Sequence, residues 1–164
     1  MNRPLWNTQN DLAEKVRTGA VELLNQQLAD ALDLALQAKQ AHWNVKGPSF
    51  IALHELFDEL VDAVLEHADE LAERAVELGG TAVGTARTTA KKSRLSEYPL
   101  EIHSGREHVT ALSRAIATFG ASARAGIDAA TELGDADTAD LFTEISRSVD
   151  KLLWKVEAHG QGKD

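Results

Sequence analysis

The sequence predicts an all-α protein, on three observations. Apolar residues recur at spacings of three and four, alanine, leucine and glutamate dominate, and only three prolines interrupt 164 residues. Good helix formers in long unbroken runs favour helix over sheet. The length suits one domain with a sizeable core, so a single domain over 1–164 is expected, with short tails at 1–8 and 160–164.

In VELLNQQLADALDLALQAKQAHW, Val21, Leu24, Leu28, Ala31 and Ala35 share one face, which predicts a first helix over 9–45. KGPS ends it: Pro48 disfavours helix at the residue before it, and Ser49 is placed to cap the next helix. That second helix is expected over 50–78, stopped by Gly79 and Gly80. Residues 79–99 read as a long connection holding a short helix near 84–91. Val109, Leu112, Ile116, Phe119, Ala123 and Ile127 line a third long helix over 100–133. After the turn ELGDADT, Leu141, Ile145, Val149, Leu152 and Val156 mark a fourth over 136–159. Two helical hairpins joined by one long connection describe a ferritin-type four-helix bundle with a crossover between its halves. That architecture alone does not choose a function, and a plain helical interaction module stays open.

Charge narrows the classes. A net charge of −9 opposes general nucleic-acid binding, which needs a concentrated basic surface, and suits a protein that attracts cations. The absence of cysteine removes disulfides and thiolate metal sites. The opening MNRPLWNTQNDLAEK carries no continuous apolar segment and no run reaches membrane-spanning length. A cytoplasmic location and no membrane partner are the expectations.

The second helix is the chemically loaded one. In HELFDELVDAVLEHADELAER its acids form an arc on one side of a helical wheel, opposite an apolar face. Glu59, Glu70 and Glu77 lie far from the apolar border and are expected in solvent, with Glu70 paired to Arg74 four residues on. His54, Asp58 and Asp69 lie at the border, within about 60° of one another, where a half-buried carboxylate needs a partner. Two i,i+4 pairs result, His54 with Asp58 and Asp69 with Glu73. Their centres are about 22 Å apart along the axis, too far for one ion to bridge. If the helix packs antiparallel against its twin about an axis near Ala63 and Val64, one chain's first pair meets the other's second. Incidental surface pairs are the alternative, because charged i,i+4 pairs are common. A di-iron site inside the bundle is not expected. Such sites use Glu-x-x-His, whereas His42, His54 and His67 follow Lys39, Ile51 and Val64 at that spacing.

KQAHWNVKGPSFIALHELFDE, HADELAERAVELGG and DTADLFTEISRSVDKLLWKVEAH together resemble the Dps family, the small ferritin-like proteins of starved cells, over residues 20–159. The resemblance implies a ferroxidase centre at a two-fold dimer interface. His42, His54 and Asp58 of one subunit then face Asp69 and Glu73 of its partner across a dinuclear iron site. It implies a hollow homododecamer that oxidises Fe2+, preferably with hydrogen peroxide, and stores ferric mineral. Trp43 and Trp154 match tryptophans near the family's centre that absorb stray oxidising equivalents, the alternative being core or interface aromatics. Asp137 and Asp140 fall where the family lines acidic pores, with Asp135 and Glu144 as helpers; helix N-terminal charge is the other explanation. Asp62 and Glu66 are candidates to face the cavity and nucleate mineral. His67 points away from the acidic arc, and no role falls to His103, His108 or His159.

DNA binding is the family's other activity and the alternative reading, a nucleoid-associated protein that protects DNA by binding it. Members that bind DNA use a lysine-rich tail. Here Arg3 is the only base before the first helix, and GQGKD has one lysine, so tight DNA binding is not expected.

Overall fold

The computed structural model describes residues 5–162; Arg3 and the lysine of GQGKD, the bases weighed for DNA binding, lie outside them. Among the described residues the chain forms α1 (Glu14–Asn44), α2 (Phe50–Glu77), a short α3 (Ala86–Lys92), α4 (Gly105–Leu133) and α5 (Ala136–Ala158). α1 packs along α2, α4 packs along α5, and the two hairpins meet through α1 on α4 and α2 on α5. This is the expected all-α, ferritin-like bundle, with α3 inside the crossover.

Most of the predicted apolar stripes lie in its core, with Val21, Ile127 and Leu141 only half-buried against it and Leu34 and Phe142 adding to it. Leu24, Leu34, Phe57, Phe119, Phe142 and Ile145 are all essentially inaccessible to solvent. Each such side chain contributes about 1.5–3 kcal/mol by leaving water.

Two helix starts fall later than the periodicity suggests, and both have local causes. Before α1, Asn10 Oδ1 accepts from Leu12 N at 3.0 Å and Thr8 Oγ1 from Asn10 N at 3.2 Å. Such side-chain turns compete with helix. Before α4, Glu107 N donates to Ser104 Oγ, and Ser104 N donates to Glu107 Oε2 at 3.0 Å. This capping box is spelled by SGRE and sets the start at Gly105. Ser49 does occupy the N-cap position of α2, but its side chain makes no capping bond.

Buried polar side chains of α1 fasten the crossover. Asp30, 1% exposed, accepts from Arg94 N and Nε, both at 2.8 Å. Gln37 donates to Ser96 O at 3.0 Å and Asn25 to Thr81 O at 3.1 Å. Beyond it, Lys46 N donates to His103 O at 3.1 Å and Gly105 N to Lys46 O at 3.2 Å, tying the start of α4 to the α1–α2 loop. A Cβ at Gly105 would stand 2.6 Å from Leu53 Cδ1, so a larger residue there would have to displace the Leu53 side chain.

Candidate metal centre at the first helical hairpin

The tight loop after α1 lays the last turn of α1 against the first turn of α2. His42 Nδ1 donates to the backbone carbonyl of His54 at 2.8 Å, and His54 Nδ1 donates to that of His42 at 2.9 Å. The rings stack with centroids 3.7 Å apart. A carbonyl can only accept, so both Nδ1 atoms carry hydrogen, and in the neutral ring the lone pair is on Nε2. Metal-binding histidines have this arrangement, one nitrogen held by a backbone or carboxylate acceptor and the other left for the ion.

Asp58 lies one turn along α2, its Oδ1 3.8 Å from His42 Nδ1. Its direct partner is Lys39, one turn before His42 on α1, in a contact ion pair. The Lys39 hydrogen bond holds the Asp58 carboxyl below its usual range, with the nearby histidines adding to the effect and partial burial opposing it. The first three candidate ligands are therefore neighbours, with one carboxylate neutralised by an ammonium that a divalent cation can replace. Sequence reasoning missed Lys39, although its place three residues before His42 puts it on the same face.

Asp69 and Glu73 are not brought to this cluster. Both lie exposed toward the far end of α2, and Asp69 is not at a half-buried border as the wheel suggested. α2 is one unbroken helix over Phe50–Glu77, so the separation of about 22 Å between the pairs stands. Among the described residues, no three His, Asp or Glu side chains of one chain, His42, His54 and Asp58 included, converge so as to hold a metal ion.

Arg74, beside Glu73, does not pair with Glu70. It donates from Nη2 to Asp135 at 2.9 Å, from Nε to Thr138 Oγ1 at 3.2 Å and from Nη1 to Glu77 at 3.2 Å. Glu70 is instead 3.0 Å from His67 Nδ1. The turn of α2 that presents Asp69 and Glu73 is thus bolted to the start of α5. A guanidinium fork reaching three acceptors fixes that turn better than a single i,i+4 surface pair does.

A Ferritin-like domain model matches residues 21–162. The DNA protection during starvation protein of Agrobacterium fabrum is 44% identical over 156 residues, covering 95% of this chain and 96% of that protein. This chain belongs to the Dps family. Among solved structures, Dps of Mycobacterium smegmatis superposes with a TM-score of 0.89 at 33% identity, covering 93% of this chain and 92% of its own. Dps from Microbacterium arborescens, in its high iron form, gives 0.86 at 32%, covering 94% and 99%.

The remaining Dps-type positions divide. Trp43 and Trp154 are 66% and 64% exposed, so neither is a core aromatic of this chain. Asp137 and Asp140 are exposed in the first turns of α5, Asp137 standing 3.8 Å from Arg74. Asp135, considered as a pore helper, is 1% exposed and serves as the N-cap of α5, accepting from Thr138 N and Arg74. Its carboxylate is consumed in that lock and cannot line a pore.

Proposed function

We propose that the protein is an iron-oxidising and iron-storing member of its family, with each site shared between two chains. His42, His54 and Asp58 of one subunit and Asp69 and Glu73 of another bind two Fe2+ ions at a two-fold interface. Mixed imidazole and carboxylate donors suit ferrous iron. With hydrogen peroxide as the oxidant, each iron gives up one electron, the O–O bond breaks, and both oxygens leave as water or hydroxide. Paired delivery avoids releasing hydroxyl radical. The product is stored as ferric mineral in a hollow homododecamer, in the cytoplasm, each chain acting as one domain over 1–164.

One observation carries this reading. His42 and His54 are tied by Nδ1 to each other's backbone carbonyls, which leaves both Nε2 atoms outside that pairing, one turn from Asp58 on a helix whose other acidic pair is out of reach. The high iron form of the Microbacterium arborescens relative supports iron as the metal. The protection of DNA named for the Agrobacterium fabrum relative follows here from chemistry, because removing ferrous iron and peroxide together spares DNA without contact. An acidic chain gains little from phosphate contacts.

Ferric absorbance after adding Fe2+ and hydrogen peroxide tests it. The native protein accelerates oxidation over buffer. His54→Ala lowers the rate by at least the roughly 10–100-fold that follows loss of even an outer partner of a metal ligand. Assembly size stays unchanged in the same samples. Equal rates for buffer, native protein and variant contradict the proposal.

A further inference from the structure

Outside the metal centre the most unusual buried contact joins Tyr98, at the end of the crossover, to His108 in the first turns of α4. The phenol oxygen lies 2.6 Å from His108 Nδ1. The rings are nearly parallel, with centroids 6.1 Å apart, and the two residues are 8% and 1% exposed. Burial pushes the phenol's pKa up and holds the imidazole's below its ordinary value. At neutral pH the phenol therefore keeps its proton and donates it to an unprotonated Nδ1. The ring's own hydrogen then sits on Nε2, a buried atom without a hydrogen-bond partner among the described residues. Burial and the neighbouring His103 disfavour the protonated ring, and the Glu107 carboxylate and the backbone of Asn44 only partly oppose them.

We propose that Tyr98 and His108 form a buried proton-coupled redox site that takes up single oxidising equivalents. An oxidant of the hydroxyl-radical or tryptophanyl-radical class removes one electron from Tyr98 and is itself reduced by one. The phenolic O–H bond breaks as the proton crosses to His108 Nδ1. A neutral phenoxyl radical and an imidazolium result. The oxidised phenol is a strong acid, and the imidazole is the acceptor already in hydrogen-bond contact with it. A small one-electron reductant reverses both transfers, and a cavity of about 160 Å³ is lined by Tyr98, Gln37 and Arg114.

Composition and placement support a relay. The chain has one tyrosine, three tryptophans and no cysteine. Trp6, Trp43 and Trp154 are all exposed on the single chain, whereas Tyr98 is shielded within it. Asn44, whose backbone approaches His108, directly follows Trp43 at the candidate metal centre. The inference depends on the proposed iron chemistry only for the source of oxidant in the cell, peroxide reduced by one electron at a centre holding a single Fe2+. The pair's redox behaviour is tested without iron.

The experiment is electron paramagnetic resonance of the assembled, iron-free protein, flash-oxidised by a photogenerated ruthenium(III) polypyridyl complex and freeze-trapped. A parallel sample receives Fe2+ and hydrogen peroxide. Because Tyr98 is the sole tyrosine, any tyrosyl signal belongs to it. The native protein gives a neutral tyrosyl radical that outlives the tryptophanyl signals. Its largest g value is lowered by the hydrogen bond returned from the imidazolium. His108→Leu loses most of that signal and the g shift, and Tyr98→Phe retains only tryptophanyl radicals. Tryptophanyl radicals alone in the native protein overturn the proposal, as does a tyrosyl signal of unchanged yield and g value in His108→Leu. If His108→Leu does not fold, the native g value decides: a value typical of a phenoxyl without a hydrogen bond overturns it. A flash-generated tyrosyl radical in a protein that fails to accelerate iron oxidation supports this proposal while refuting the ferroxidase reading.

Discussion

In the proposed centre, two backbone carbonyls decide which nitrogen of His42 and His54 would meet a metal, and one lysine competes for Asp58. Helical spacing makes His54 and Asp58 visible in the sequence, and family resemblance does the same for His42. The contact between Lys39 and Asp58 was not legible, because it joins different helices and depends on how the hairpin closes. Lys39→Met is expected to tighten Fe2+ binding several-fold in anaerobic calorimetric titration, since the ion no longer competes with an ammonium for Asp58; unchanged affinity contradicts this role. Tyr98 and His108 were equally hidden, their hydrogen bond closing between a loop and a helix start. That pair has a pH signature. Burial holds His108 below its ordinary value of 6.5, so as pH falls the unfolded chain takes up this proton first. Its contribution is complete above that pH and is lost below it, with a slope of up to about 1.4 kcal/mol per pH unit. Chemical denaturation of the native protein and His108→Leu checks the sign. The variant is less stable overall and loses this part of the acid slope.

At the scale of elements, short signals were readable and long-range ones were not. Gly79 and Gly80 ended α2 within a residue of expectation, and Gly79 takes the left-handed conformation, φ +83°, that glycine adopts without strain. The fork from Arg74 to Asp135 spans sixty-one positions, and helix periodicity carries no trace of it. It explains why an arginine follows the candidate ligand Glu73: the residue fixes the turn of α2 that offers Asp69 and Glu73 outward. Losing an N-cap costs about 0.5–2 kcal/mol, whereas stranding one member of a buried ion pair costs about 3–5 kcal/mol. Glu77 keeps part of the Arg74 charge company, so Asp135→Ala is expected to cost about 3 kcal/mol in denaturant unfolding. A loss below about 1 kcal/mol would mean that Asp135 acts as a cap alone.

For the whole molecule, the order of helices and the place of the crossover followed from periodicity and breakers. The polar seam from Asn25, Asp30 and Gln37 that fastens the crossover did not, because each partner is a backbone or side-chain group far along the chain. Function is also decided at this scale. On the proposed reading, a rigid α2 keeps the two half-sites apart, so a complete site would need a second chain, and the acidic chain would draw cations toward it. Complementation tests that sharing most directly. One variant carries His54→Ala and Asp58→Ala, the other Asp69→Ala and Glu73→Ala, and each alone is inactive in iron oxidation. Co-expressed at equal levels, they form mixed dimers in which one of the two sites has every ligand, and activity returns to about a quarter of the native rate. A mixed assembly as inactive as either parent contradicts a site shared between chains.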